Sequence, residues 1–388
     1  MKILAIASTL DLKYCLGCTP AWWQLFKALY ETGNEVIVSP YLGDPVQSLW
    51  WTTYPNPCRW ESITYNSYLE RRKTQGVSPS KRNLLSPGVD FLIRHHVRPR
   101  WEKHVINILK KEKGIDAVVI MNVPMNHIGG IPSKIKQQFG VPVVFYDGDM
   151  PTSLPKYTVG RGFRFNYYVN ADLAEYDALL ANSEGCLSDL REMGAKKTYP
   201  LQWGIDPQLV FPVEMEKDID ISFLGYGSDF REEWMTKMIT IPSKAMPDIK
   251  FAVGGGGFKI DLGNARQVGH LSYSEWRQFS CRSKINLNIT RWSHSSIYAS
   301  STSRPFELAG FGACIVSQPY NGLEKWFDFG QDLAVVNSED EAMAVYRQLL
   351  SDDQKMKEMG HNARKRVLQE HTFRHRAEEL VNIIRALG

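Results

Sequence analysis

Short apolar runs alternate with longer amphipathic stretches along most of this 388-residue chain. Such runs are typical of strands buried in a parallel sheet, and the amphipathic stretches between them are typical of covering helices. In the first half the pattern predicts strands at 2–8, 35–39, 116–121, 141–146 and 179–181. In the second half it predicts strands at 220–224, 250–253, 285–289, 313–316 and 333–336. The alternation predicts the α/β fold class, with two doubly wound, Rossmann-like domains facing each other across a cleft.

Helices are predicted from the amphipathic stretches between these strands. They cover 21–32, 89–113, 230–240, 273–281, 304–311 and 321–327, and three more begin near Ser338, Asp353 and Phe373. Residues 43–88 carry few periodic signals and many Pro, Ser, Trp and Tyr residues, which indicates a long excursion from the core.

Composition places the chain among globular proteins, with 43% hydrophobic and 23% charged residues. No apolar run approaches the roughly 18 residues of a membrane span, and the apolar start breaks at Asp11 and Lys13, unlike a signal peptide. The six cysteines are scattered, so a reduced, cytoplasmic protein is expected. Cys15 and Cys18 form one C-x-x-C pair, which is either half of a metal or redox site or two ordinary thiols.

Positive charge is concentrated in one part of the chain. Residues 71–113 contain twelve Lys or Arg against three acidic residues, with three histidines among them. Such a stretch raises the local concentration of anionic partners: an anionic lipid surface, a phosphate-bearing acceptor or nucleic acid. The alternative is a solvated helix and loop that happen to be basic. The first interpretation extends the expected location to the inner face of the membrane, as a peripheral protein.

The stretch 302–327 carries the strongest chemical signal. Ser303 is expected at the N-cap of a helix with Pro305 just inside it, where a missing N–H costs nothing. Free backbone N–H groups at a helix start and the guanidinium of Arg304 both favour phosphate oxygens. Glu307, one turn further on, offers two acceptor oxygens for the paired hydroxyls of a ribose. The combination predicts a nucleotide-sugar pocket, and the alternative is an ordinary capped helix with a surface Glu.

Ligands of open α/β sheets bind outside the carboxyl ends of the strands, which selects further donor-binding candidates in the second half. Glycines there permit close backbone approach, and cations suit phosphate. The candidates at these strand ends are Gly225, Tyr226, Arg231, Gly255, Arg291, Asn321 and Gly322. The four glycines 254–257 form neither a Walker loop nor a G-x-G-x-x-G motif, so a flexible turn explains them equally well.

Candidate catalytic residues follow strands of the first half. Asp147 and Asp149 come directly after the strand predicted at 141–146. Two carboxylates in three residues would act as a general base, bind sugar hydroxyls or hold a cation, and a structural Asx-turn is the competing explanation. His127, after the strand predicted at 116–121, is a second candidate for the base.

Several segments occur in an order that resembles a known family. They are ANSEG (181–185), YPLQWGIDP (199–207), DISFLGYG (220–227), TSRPFELAGFGACIVSQPYNGLEKWF (302–327) and HTFRHR (371–376). Together they resemble GT-B glycosyltransferases, most closely the CgeB-like (spore-maturation-type) group, with a donor domain like that of glycosyltransferase families 1 and 4. The resemblance is specific from about 180 to 388 and loose over the first 180 residues.

This resemblance implies a domain organisation and a donor site. It implies an acceptor-side domain at 1–204, a nucleotide-sugar donor domain at 205–370, and a closing helix at 371–388 that packs back on the first domain. In such enzymes the region 269–273 contacts the nucleobase, so Tyr273 and Trp276 are candidates to stack on a base; the helical spacing of Trp276 is also typical of a core residue. GT-B enzymes usually bind their donor without metal, so no tightly bound cofactor and no metal site are expected, and Mg²⁺ is not required.

The expected function is hexosyltransferase-like transfer of a sugar from a nucleotide-diphosphate-sugar to an unidentified, anionic acceptor, which is a glycan, a lipid-linked molecule or a nucleic acid. The resemblance weakly favours a retaining outcome, and an inverting enzyme would use Asp147, Asp149 or His127 as base. Two alternatives stay open. A nucleotide-sugar epimerase of the same fold would turn over the donor without an acceptor. A non-catalytic carbohydrate- or nucleic-acid-binding protein would use the basic stretch 71–113.

Overall fold

The computed structural model describes residues 1–10, 21–61, 63, 87–157, 167–227 and 230–388. Cys15, Cys18 and residues 71–86 of the basic stretch lie outside these described residues. The chain divides into two compact units. The first holds the described residues up to Gln202 together with Ala377–Gly388, and the second holds Trp203–Arg376.

A parallel sheet forms the centre of the first unit. Its described strands are β1 (Lys2–Thr9), β2 (Glu35–Leu42), β3 (Thr52–Thr53), β4 (Ala117–Met121), β5 (Val143–Asp147), β6 (Ala178–Ala181) and β7 (Thr198–Pro200). They lie in the order β3-β2-β1-β4-β5-β6-β7, with every neighbouring pair parallel. Strands β4 and β5 are buried at every residue, because a parallel sheet covered by helices has no solvated face.

The α-helices described for this unit are α1 (Ala21–Glu31), α2 (Pro87–Leu92), α3 (Arg98–Lys111), α4 (Ile131–Phe139) and α5 (Leu187–Glu192). The helix predicted at 89–113 is observed as one continuous helical run over 87–111, in which a π-helical turn at Ile93–Val97 joins α2 to α3. Pro99 follows this turn at the start of α3, where its missing N–H removes a helical hydrogen bond.

The second unit repeats the same architecture. Its described strands are β8 (Ile219–Tyr226), β9 (Phe251–Gly256), β10 (Arg266–Gly269), β11 (Ser283–Asn288), β12 (Cys314–Ser317) and β13 (Leu333–Val335). They lie in the order β10-β9-β8-β11-β12-β13, again all parallel. In both units the strand order reverses beside the first strand, between β1 and β4 and between β8 and β11. Such a reversal opens a crevice for ligands at the carboxyl edge of the sheet.

The remaining α-helices of the described chain are α6 (Glu232–Met235), α7 (Ile241–Ala245), α8 (Tyr273–Arg282), α9 (Trp292–Ser295), α10 (Ser303–Gly310), α11 (Glu339–Leu350), α12 (Asp353–Glu370) and α13 (Phe373–Arg385). Two predictions are wrong here. Residues 321–327 form only a 3-10 turn at Leu323–Lys325, because Gly322 before it has a φ of 86°. The glycine run is not a separate turn, since Gly254, Gly255 and Gly256 continue β9 alongside β8.

The predicted α/β class with two doubly wound sheets is confirmed. Bulky apolar side chains, including Trp276, Phe306 and Trp326, form the buried core beside the second sheet. Removing such surfaces from water is the main favourable contribution to folding. Among the helices in the described ranges, none combines the length and apolar character that a membrane span needs.

Candidate active site

Asp147 ends strand β5 and is fully buried. Its Oδ1 accepts a hydrogen bond from the backbone N–H of Asp149 at 2.8 Å, and its Oδ2 accepts from the Ser153 and Tyr168 hydroxyls at 2.5 and 2.6 Å. Burial, with a smaller contribution from the Asp149 charge, raises the pKa of Asp147 to about 7. The prediction of Asp147 as an accessible base is therefore wrong, because this carboxyl is enclosed and fixes the loop as an Asx-turn does.

Asp149 is the partly exposed carboxylate of the pair. Its Oδ2 accepts hydrogen bonds from the Asn122 side-chain amide at 2.7 Å and from the Tyr167 hydroxyl at 2.8 Å. Asn122 also accepts from the Gly148 N–H at 2.8 Å, so one amide ties the end of β4 to the loop after β5. Asn122 has a φ of 53°, a conformation that Asn tolerates better than most residues. These contacts hold the carboxylate of Asp149 at the carboxyl edge of the sheet.

His127 ends a 3-10 turn, Met125–His127, after β4. Its Nδ1 lies within hydrogen-bond distance of the Tyr41 hydroxyl. Burial and the nearby Arg98 charge lower the pKa of His127 to about 4, so the imidazole is neutral at pH 7. The N–H of Met125 donates to the Tyr167 carbonyl, and the Tyr167 hydroxyl donates to Asp149. The backbone of Met125 thus joins the 3-10 turn that carries His127 to Tyr167, whose hydroxyl contacts Asp149, a link that the sequence did not indicate.

In the second unit, glycines allow β8 and β9 to approach closely at their carboxyl ends. Gly225 pairs with Gly255, and a Cβ on Gly255 would lie 1.8 Å from the Gly225 carbonyl oxygen. Gly255 therefore requires glycine, whereas a Cβ on Gly225 would lie 2.6 Å from the Phe223 ring, which would have to shift. Tyr226, the last residue of β8, has its hydroxyl 2.8 Å from Nδ1 of the exposed His270. The rings of Tyr226 and His270 and the backbone of the glycines therefore lie at this edge of the sheet.

Arg231 donates hydrogen bonds at the ends of β8 and β11, the two strands between which the strand order reverses. Its Nε donates to the Ile289 carbonyl at 3.1 Å, and one terminal nitrogen donates to the carbonyls of Tyr226 and Gly227 at 3.1 and 3.3 Å. Ile289 follows β11 and Tyr226 ends β8. The guanidinium that was predicted to contact the donor is therefore engaged with backbone carbonyls, and its evident role is to hold the crevice in shape.

Helix α10 places an arginine and a glutamate one turn apart. Its N-cap is Thr302 rather than the predicted Ser303, which is the first helical residue. The guanidinium carbon of Arg304 lies 4.6 Å from the centre of the Trp276 ring, a cation–π contact. Glu307 is only 4% exposed. Burial raises its pKa, while the Arg304 charge and a hydrogen bond from Ser303 oppose that rise. The geometry keeps a cation and a two-oxygen acceptor together at a helix N-terminus.

The two aromatic residues predicted to face a nucleobase are part of the core. Trp276 is fully buried and packs edge-on against Phe311 at 5.1 Å between ring centres. Tyr273 packs against Trp276, and its hydroxyl donates to the Leu209 carbonyl at 3.2 Å. The prediction of a nucleobase contact is therefore wrong for Trp276, which has no accessible ring face. It stays a prediction for Tyr273, whose ring is partly exposed.

A tight loop follows β11 and carries Arg291. The Asn321 N–H donates to the Ser295 carbonyl at 2.8 Å, and the Ala299 N–H donates to the Asn321 carbonyl at 3.0 Å. A Cβ on Gly322 would lie 2.3 Å from the Ala299 nitrogen, so only glycine fits there. Ala299 itself has a φ of 45°, a strained value for a residue with a side chain. Backbone contacts thereby join the loop that carries Arg291 to Asn321 and Gly322. The part that Ala299 plays in these contacts was not predicted from the sequence.

Within the described residues, no group of three or more His, Cys, Asp or Glu side chains is arranged to hold a metal ion. The four described cysteines, Cys58, Cys186, Cys281 and Cys314, are buried thiols.

Comparison with known proteins assigns part of the chain. Residues 231–382 match the model of a family described as glycosyl transferase-like. Those residues include α10, Arg291 and the Gly322 turn. No match to a curated protein was found by sequence comparison.

Several solved structures share the architecture over the whole chain. Sucrose-phosphate synthase from Thermosynechococcus elongatus is 14% identical with a TM-score of 0.65, covering 100% of this chain and 98% of that one. Anabaena HepE in complex with UDP is 12% identical with a TM-score of 0.62, and the match covers 100% of both chains. An E. coli protein bound with UDP-2-fluoro glucose is 12% identical with a TM-score of 0.59, covering 99% of each chain. These likenesses show that the fold is GT-B.

Proposed function

We propose that this protein is a glycosyltransferase that takes its sugar from a nucleotide-diphosphate-sugar bound by the second unit. The observation that carries the proposal is the pairing of Arg304 with the buried Glu307 at the N-terminus of α10. The glycosyl transferase-like match over 231–382 includes both residues.

The donor site would stabilise the negative charge of the departing diphosphate. When the glycosidic bond to the nucleotide breaks, negative charge develops on the departing diphosphate. The N–H groups of the first turn of α10 and the Arg304 guanidinium are donors suited to those oxygens. Glu307 would accept hydrogen bonds from the ribose hydroxyls in a site that excludes water, where such bonds are strongest. Arg291 and the backbone of Asn321 and Gly322 would line the sugar side.

The first unit would hold the acceptor. Asp149 is the base that the geometry favours for an inverting reaction, because it is partly exposed and held by Asn122 and Tyr167. The neutral His127 is the second choice. The finer predictions belong to this proposal: a CgeB-like enzyme, a hexose as the transferred sugar, donor binding without metal, and an anionic acceptor.

The choice of nucleotide follows from proteins of the same fold. HepE is found with UDP, and also with UDP and glucose and with UDP-glucose. UDP is therefore the first nucleotide we would test, followed by GDP, ADP, TDP and CMP.

The test is calorimetric titration of each nucleotide, with and without Mg²⁺, against the natural protein and the Glu307→Gln variant. Gln keeps the volume of Glu but removes the charged acceptor, so we expect at least about tenfold weaker binding, typical of a lost hydrogen bond to a charged group. The matched control is Glu324→Gln, an exposed glutamate of the same unit.

Equal binding by the natural protein and Glu307→Gln would remove Glu307 from the site. If none of the nucleotides binds, the donor-site proposal is wrong. Donor turnover that proceeds without any acceptor would instead indicate an epimerase.

A further inference from the structure

The first unit exposes a cluster of large apolar side chains that no part of the proposed site uses. Trp60 is 73% exposed, Phe91 65%, Leu92 48% and Ile63 45%. Soluble surfaces carry single exposed apolar residues routinely, but contiguous groups of them mark interaction sites. These four lie on two short segments, 59–63 and the helix α2.

Direct contacts hold the two segments together. Oε1 of Glu61 accepts hydrogen bonds from Nε2 of His96 at 2.6 Å and from the Arg100 guanidinium at 2.5 Å. The Cys58 thiol lies 3.9 Å from the Val97 carbonyl oxygen. Phe91 packs against His95, one turn along, with ring centres 4.4 Å apart. Residues 58–61 therefore lie against the π-helical turn and the start of α3.

The same two segments also carry basic side chains. The described segments 59–63 and 87–111 carry seven Lys or Arg against three Asp or Glu. The side chains of Arg59, Arg94 and Arg100 are about half exposed. The pairs of Arg59 with Asp44 and of Arg94 with Asp90 are at the surface, where such pairs contribute little to stability. We call this surface the aromatic–basic face, consisting of Trp60, Ile63, Phe91, Leu92, Arg94 and Arg100.

We propose that the aromatic–basic face docks the protein on the surface of an anionic lipid bilayer. Aromatic rings with an apolar body suit the headgroup region, and aliphatic side chains suit the acyl boundary just below it. Arginines around them are attracted to anionic headgroups. Leu92 and Ile63 favour a bilayer over a single-stranded nucleic acid, because single strands are bound by stacking on flat rings and by cations along the backbone.

The inference concerns a surface in the first unit and does not depend on nucleotide binding by the second. It adds a location to the proposed reaction, at the boundary where a lipid-linked acceptor would be found.

The test is co-sedimentation of the full chain with vesicles of phosphatidylcholine alone and with vesicles that also contain phosphatidylserine. We expect at least about tenfold tighter binding to the anionic vesicles, weakened by salt. One variant, Trp60→Ser with Phe91→Ser, removes the apolar anchors. A second, Arg94→Gln with Arg100→Gln, removes charge. Each should lose at least about tenfold in binding to anionic vesicles, and the charge variant should also lose its salt dependence.

The control is Tyr30→Ser with Phe329→Ser, which removes two comparably exposed aromatic residues elsewhere. Circular dichroism and thermal unfolding of each variant show whether it is folded. Equal binding to the two kinds of vesicle, no binding to either, or an equal loss in the control would overturn the proposal. Salt-dependent binding to DNA that is lost in the charge variant, with no vesicle binding, would assign the face to nucleic acid instead.

Discussion

The two sheets share one strand order, but they end in different chemistry at their carboxyl edges. In the first unit, side chains shape the edge, since Asn122 and Tyr167 hold the carboxylate of Asp149. In the second, backbone shapes it, since Gly225 meets Gly255 and Arg231 donates to main-chain carbonyls. A network of carboxylates and hydroxyls suits proton transfer, whereas bare backbone beside a cation suits phosphate. One architecture therefore presents different chemistry through different residues at equivalent places.

Gly255→Ala should have the largest effect, because it tests the backbone edge directly. The added Cβ would lie 1.8 Å from the Gly225 carbonyl oxygen, and Gly255 has a φ of 104°. We expect the free energy of unfolding to fall by about 3 kcal/mol or more. Urea denaturation measures this, and Gly256→Ala is the matched control, since its Cβ would meet nothing within 4 Å. If both variants lost the same stability, the close approach of β8 and β9 would not be the cause.

The sequence predicted the strands well, because buried parallel strands are runs of apolar residues that stand out from their surroundings. The predicted strands did not include β3, β7 and β10, whose residues Thr52–Thr53, Thr198–Pro200 and Arg266–Gly269 carry no such run. Helices α4 and α5 were missed as well, since each is short and its apolar stripe holds only a few residues. The local hydrophobic pattern thus predicts the central strands of each sheet, and the strands that it does not predict lie at the sheet edges.

The candidate site was predicted less completely, for a different physical reason. Arg304 and Glu307 are one helical turn apart, so their proximity could be read from spacing alone. The contact of Asn122 with Asp149 joins the ends of two different strands, and nothing in the local sequence indicates it. The burial of Asp147 and Trp276 also depends on tertiary packing. Motifs identified residues at the right edge of each sheet, and packing decided which of them stay accessible.

The buried carboxyl of the first unit should make stability depend on pH. Burial raises the pKa of Asp147 from 3.8 to about 7. Between about pH 4 and pH 7 the folded protein therefore holds a proton that the unfolded chain has released, so the contribution of this group to stability falls as pH rises. Asp147→Asn should remove a fall on the order of 2 kcal/mol. Urea denaturation near pH 5 and near pH 8 measures this fall in the free energy of unfolding. If the fall is as large in the variant as in the natural protein, Asp147 is not its cause.

Arg231→Lys separates charge from geometry in the second unit. Lysine keeps the positive charge but cannot donate to Ile289 and Tyr226 through a planar fork. If Arg231 holds the crevice in shape, the variant should bind nucleotide roughly tenfold more weakly, a change of about 1.4 kcal/mol. Calorimetric titration measures the affinity, and Lys237→Arg, the reverse exchange at a partly exposed lysine nearby, serves as control. Unchanged affinity in Arg231→Lys would mean that the contacts to the carbonyls are dispensable for binding.

Tyr273→Phe should have the smallest effect and sharpens the boundary between core and site. The variant loses one hydrogen bond from the hydroxyl to the Leu209 carbonyl and keeps the ring against Trp276. We expect a loss of about 1 kcal/mol in the free energy of unfolding, because a neutral hydrogen bond contributes about that much. Nucleotide affinity should stay the same if the hydroxyl only braces the core. Weaker nucleotide binding at unchanged stability would instead place the hydroxyl of Tyr273 on the ligand and extend the donor site from α10 to the start of α8.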